Sequence, residues 1–148
     1  IRRNVGIWKW LFMDDKPFVP DASRSASWNR GAYLVNGFGH CAECHSPRNF
    51  LGGIVEAQRF AGGPNPEGEG WVPNITQKGG LAEWSVGDIA YFLETGQTPD
   101  GDTAGGSMVR VIRNTSQLSP EDRAAMAEYI KSLPPVEGPP RPKKAAKS

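Results

Sequence analysis

Cys41-Ala42-Glu43-Cys44-His45 is the stretch of this chain richest in chemistry. Two cysteines separated by two residues, with histidine directly after, form the pattern of a c-type haem attachment site. The spacing has a chemical reason. Thiols one helical turn apart can add to the two vinyl groups along one edge of a porphyrin, and the next residue brings an imidazole under the iron. Competing chemistries fit less well. A disulfide leaves His45 unexplained. A thioredoxin-like pair belongs after a strand, whereas the residues before Cys41 read as helical. Zinc would have to take Cys41, Cys44, His40 and His45 from one hexapeptide, and zinc sites of that composition separate the two pairs. An iron–sulfur cluster usually asks for four cysteines, and the chain has two.

A six-coordinate haem needs a second axial ligand opposite His45. His40 adjoins Cys41 on the attachment edge, so it reads as a surface residue or a neighbour of the ligands. Of the three methionines, Met126 falls inside an expected helix and Met13 in the N-terminal segment. Met108 follows the glycine-rich residues 101–107 and is expected on an irregular loop that bends to the iron. Without the haem motif a lone methionine reads as core filler; with it, Met108 is the candidate second ligand. Arg48 is a candidate partner for a haem propionate, because a guanidinium matches carboxylate geometry. A solvated loop arginine is the plain alternative. No nucleophile–base pair or carboxylate dyad stands out.

The elements that must position these residues are helical. Ile1, Val5, Trp8, Leu11 and Phe12 fall near helical spacing within residues 1–20. That helix can pack on this domain, join to an upstream one, or lie on a membrane surface. Residues 17–27 read as an extended connector. Ser27 is a good N-cap for a helix over residues 28–38, with Gly31 placed for a close helix crossing. Residues 61–70 form an irregular surface loop. Pro73-Asn74-Ile75-Thr76 can wall the haem pocket. A second helix covers residues 85–95, with a capping-box-like start at Ser85 and Asp88 and a stop at Gly96. A third begins Ser119-Pro120-Glu121-Asp122 and ends at Pro134-Pro135. It is expected to cross the first with Tyr129 over Gly31. Three regions follow: an N-terminal helical extension and linker over residues 1–26, a haem domain over 27–135, and a proline-rich, basic, disordered tail over 136–148.

Composition supports the haem reading. At 148 residues the chain favours one domain. With 38 % hydrophobic residues, 18 glycines and 13 prolines, its own core is thin, and a large apolar cofactor would supply the missing volume. The net charge of +1 is uneven. Arg141, Lys143, Lys144 and Lys147 crowd the last eight residues, and the rest is mildly acidic, which argues against nucleic acid as a partner. No run is long enough to span a bilayer, although membrane contact stays open. The chain opens on Ile1 without a signal peptide, which reads as a processed protein or an excised piece. Covalent haem attachment needs reduced thiols and dedicated ligation outside the bacterial cytoplasm, so a periplasmic location is expected.

Taken together, these pieces resemble class I cytochrome c over residues 27–135. More narrowly, four segments resemble haem domains of the multi-haem cytochrome subunits that serve membrane-bound alcohol and sugar-acid dehydrogenases. They are Trp28-Asn29-Arg30-Gly31-Ala32-Tyr33-Leu34-Val35, Cys44-His45-Ser46-Pro47-Arg48-Asn49, Pro73-Asn74-Ile75-Thr76 and Leu118-Ser119-Pro120-Glu121-Asp122. The resemblance implies an all-α cytochrome c fold, with three to five helices around one covalent haem c and long irregular loops. It also implies one-electron transfer rather than catalysis, from a dehydrogenase partner to a cytochrome or oxidase acceptor of a respiratory chain. A haem enzyme or gas sensor with a labile or absent methionine ligand is the alternative. A third reading makes the domain chiefly a docking module for a larger enzyme, with residues 1–20 as the contact.

Overall fold

The computed structural model describes residues 2–14 and 16–142. Among them are six α-helices: α1 (Arg2–Phe12), α2 (Ala26–Tyr33), α3 (Ala42–His45), α4 (Val86–Thr95), α5 (Met108–Thr115) and α6 (Pro120–Lys131). The only sheet among the described residues is a two-residue ribbon in which β1 (Gly63–Pro64) pairs antiparallel with β2 (Trp71–Val72). The all-α expectation holds, and the haem motif sits on a single short helical turn.

Helix α2 starts two residues earlier than the sequence reading placed it. Ser25, not Ser27, is the N-cap: its backbone is extended, and its hydroxyl accepts from the Trp28 N–H at 2.9 Å. Beyond Tyr33 the helix widens into a π-helical turn over Leu34–Phe38. There the Gly39 N–H reaches back to the Leu34 carbonyl at 2.7 Å, and the Cys41 N–H reaches the Val35 carbonyl at 3.1 Å. Such a turn shifts the register of the chain just before the cysteines.

Helices α2 and α6 cross at Gly31. A Cβ there would overlap the Ala125 carbonyl oxygen and come within 3.0 Å of Tyr129 Cβ. The crossing is pinned by polar pairs at its margins. Arg30 binds Asp122 through two N–H groups, at 2.8 and 2.9 Å. Trp28 Nε1–H donates to Ser132 Oγ at 2.7 Å, and Asn36 Nδ2–H donates to the Tyr129 hydroxyl at 2.9 Å. Val35, Ile89, Leu93, Met126, Ala127 and Ile130 are buried in the core between these helices and α4.

Helix α4 begins as expected, with a complete capping box between Ser85 and Asp88, and ends on Gly96 in the left-handed region. Helix α6 likewise has Ser119 as N-cap and Pro120 in its first turn. Arg123, at 6 % exposed, pairs with Glu94 at 3.0 Å and donates to the carbonyls of Ser116 and Leu118, tying α4 to the turn before α6.

One expectation fails near the C-terminal end of the fold. Residues 136–138, expected to belong to a disordered tail, are bound to the body. The Val136 carbonyl accepts from Asn74 Nδ2–H at 2.8 Å, and the Glu137 carbonyl accepts from Gln58 Nε2–H at 3.1 Å. The basic residues 143–148 lie outside the described residues. At the other end, α1 packs on this domain. Trp8 Nε1–H donates to the Leu51 carbonyl at 2.8 Å, and the Phe12 ring covers Gly53. The opposite side of α1 leaves Trp10 82 % exposed. No helix among the described residues is long and apolar enough to cross a membrane.

Candidate haem site

Cys41 opens helix α3 and His45 closes it, with the His45 N–H on the Cys41 carbonyl at 2.9 Å. Both thiols are free and half-buried. Burial pushes the Cys41 thiol up to about 11 and raises Cys44 as well.

The His45 imidazole is fixed from behind. Its Nδ1 lies 2.8 Å from the Pro73 carbonyl oxygen. A carbonyl only accepts, so Nδ1 carries the proton and Nε2 keeps its lone pair. Burial lowers the ring's affinity for a second proton, while the Pro73 carbonyl works the other way. A neutral ring with Nε2 free is the form that binds a metal. The Pro73-Asn74-Ile75-Thr76 segment thus does more than wall a pocket: it supplies the acceptor that orients the histidine.

Arg48 braces the same turn. Its Nη2 donates to the Glu43 carbonyl at 2.8 Å and to the Glu43 carboxylate at 2.5 Å, and its Nη1 donates to the Gly52 carbonyl at 2.7 Å. The motif's own glutamate is therefore one of its partners. His40 is exposed and adopts a positive φ of 35° at the approach to Cys41.

Met108 is not on a loop. It is the first residue of α5, a helix the sequence reading did not anticipate. It is half-buried and packs on the same core as Cys41. The preceding glycines still give it freedom of approach, with Gly106 at φ 57°. The residues present suit a covalent haem. Two free thiols stand one turn apart, and the imidazole offers Nε2. Elsewhere, Gln77 Nε2 is a buried amide donor with no partner among the described residues.

Crossed helices α2 and α6, a Cys-x-x-Cys-His turn following α2 through its π-helical extension, and a methionine opening α5 define an all-α haem domain for electron transfer. The chain belongs to the cytochrome c family, whose model, described as Cytochrome c, matches residues 29–134. It is 50 % identical to a "Diheme cytochrome c-type" protein of Cereibacter sphaeroides over 133 residues, covering 90 % of this chain and 44 % of the relative. It is 38 % identical to the cytochrome subunit of fructose dehydrogenase from Gluconobacter japonicus, covering 90 % of this chain and 28 % of that one. It is also 38 % identical to the cytochrome c subunit of a quinone alcohol dehydrogenase from Gluconacetobacter polyoxogenes, covering 92 % and 31 %. The chain spans less than half the length of these relatives. Membership of the family implies a covalent haem c and a role in electron transfer rather than catalysis.

Proposed function

We propose that this chain holds one haem c, with His45 and Met108 as axial ligands, and passes single electrons from a dehydrogenase to a respiratory acceptor in the periplasm. The observation that carries this reading is the orientation of His45, whose Nδ1–H is taken by Pro73 and whose Nε2 is left for iron. The two cysteines of the chain account for one attachment site. Cys41 and Cys44 tether the ring. Met108 completes the coordination from the start of α5.

When bound, the haem supplies a metal that changes oxidation state by one electron without taking up substrate. The protein's part is to saturate the metal, exclude water and set the potential through ligand type and burial. Arg48 uses three of its five N–H donors on Glu43 and Gly52. The remaining two are its means of binding a propionate. The relatives named as dehydrogenase cytochrome subunits support a dehydrogenase as donor. Encounters between redox partners bury little surface, which keeps turnover fast.

The test is optical. The oxidised protein should show the methionine–iron charge-transfer band, and the reduced protein should not bind carbon monoxide without denaturation. Absence of the band together with ready binding of carbon monoxide would point to an open iron and a ligand-binding or enzymatic role.

A further inference from the structure

The carbonyl that orients His45 belongs to an irregular segment, and a carbonyl is only as fixed as the chain that carries it. Residues 73–76 follow β2 with no ladder of their own beyond it. They are held from two sides instead. On the inner side the Ile75 N–H donates to the Phe60 carbonyl at 3.0 Å. Gly62 lies so close that a Cβ on it would come within 2.6 Å of the Val72 carbonyl oxygen and the Asn74 nitrogen. Gly62 also donates its N–H to the His45 carbonyl at 2.7 Å, so this inner wall touches the histidine from the backbone side.

On the outer side the chain comes back after α6 and closes a ring of hydrogen bonds. Asn74 Nδ2–H donates to the Val136 carbonyl at 2.8 Å, and the Val136 N–H donates to Thr76 Oγ1 at 3.1 Å. The Thr76 hydroxyl donates to Asn74 Oδ1 at 2.7 Å, and the Thr76 N–H donates to the same oxygen at 2.8 Å. Thr76 is 1 % exposed, so the hydroxyl at the centre of the ring is shielded from water. Just beyond, Gly138 is seated against the Ala61 carbonyl, where any Cβ would collide. Pro134-Pro135 stiffens the approach by fixing φ at both residues.

We infer that residues 136–138 act as a strap which, through Asn74 and Thr76, positions the Pro73 carbonyl and so the imidazole of His45. This rests on the reading of His45 as an axial ligand. Asn74, Thr76 and Val136 are positioning residues, acting on the iron only through Pro73 and His45. A firm Nδ1–H···O=C bond gives the imidazole more anionic character, which favours oxidised iron and lowers the potential. A loose one does the reverse and lets the ring turn.

Two variants of the haem-loaded protein test this. Thr76→Val keeps the size and removes the hydroxyl at the centre of the ring. A chain ended after Pro135 removes the strap, and it carries the test alone if the valine variant does not fold. In each, hydrogen exchange of the His45 ring N–H, followed by NMR in the reduced state, should be faster by about tenfold or more. The reduction potential of Thr76→Val should rise. Arg30→Gln, which weakens the helix crossing elsewhere, should leave both readings at the parent values. Unchanged exchange and potential in both strap variants, with the parent showing a slowly exchanging iron-bound His45 ring, would overturn the strap while leaving the ligand assignment standing. A parent without an iron-bound His45 would remove the assignment, and the strap's role with it.

Discussion

Gly31 of α2 lies so close beneath Ala125 of α6 that a single added methyl group would overlap the Ala125 carbonyl oxygen and approach its carbon to 2.6 Å. Alanine is the better helix former by about 1 kcal/mol, so intrinsic propensity alone predicts that Gly31→Ala stabilises the protein. The overlap is with backbone, which cannot swing aside as a flexible side chain can. Gly31→Ala should therefore destabilise by about 1–3 kcal/mol, as overpacking does in a close-packed interior. Denaturant midpoints of the parent and variant haem proteins give the sign directly.

The Arg30–Asp122 pair makes the same crossing sensitive to acid. The hydrogen bonds from Arg30 hold the Asp122 carboxyl below the usual carboxylate range, with the charge of Arg30 adding to that effect. A group depressed in the folded state contributes stability above its unfolded pKa, about 3.9 for aspartate, and loses it as pH falls through the folded value. Thermal midpoints measured from neutral pH down toward pH 3 should show the parent's advantage over Asp122→Asn level down to about pH 5 and shrinking below it. The pair is partly exposed, so high salt should shrink the advantage at neutral pH too.

The unpartnered amide of Gln77 can be tested as a partner for the cofactor. Its Nε2 is buried without a partner among the described residues. If that donor meets a propionate, Gln77→Leu should destabilise the haem-loaded protein by about 1–3 kcal/mol, read from its thermal unfolding. A buried donor that stayed unpaired with haem bound would give the opposite sign, because leucine relieves its desolvation.

Arg48 and Glu43 brace the attachment turn from within the motif. Arg48→Gln should lower stability by about 1–2 kcal/mol, with partial exposure holding the loss toward the low end of charge-assisted bonds. Glu43→Gln should lose less, since the Glu43 and Gly52 carbonyls still hold the guanidinium. A double-mutant cycle on denaturant midpoints separates the ion pair from the backbone bonds.

The sequence exposes some of these relationships and conceals others for physical reasons. Cys41, Cys44 and His45 are readable because covalent attachment demands fixed types at fixed spacing. The capping signals at Ser85 and Ser119 are readable because they act within four residues, and both helices start there. Ser25 and Ser27 are chemically equivalent as caps, and only the extended backbone at Ser25 decides between them. Helix α5 follows two glycines, has no side-chain cap, and is rich in β-branched residues that disfavour helices. Tertiary contacts hold it: Thr115 Oγ1–H donates to the Leu93 carbonyl at 2.5 Å, and Ile112 packs against Gly96. The strap at 136–138 is invisible for a similar reason. It binds through backbone groups of a proline-rich segment whose composition is that of a disordered tail.

The most direct test of the whole account is the intact mass and colour of the protein produced in cells that attach haem c. The prediction is a red protein whose mass exceeds the bare polypeptide by one haem, retained after acid–acetone extraction, with no thiol open to alkylation. A colourless chain at polypeptide mass, with Cys41 and Cys44 both alkylated, would contradict it.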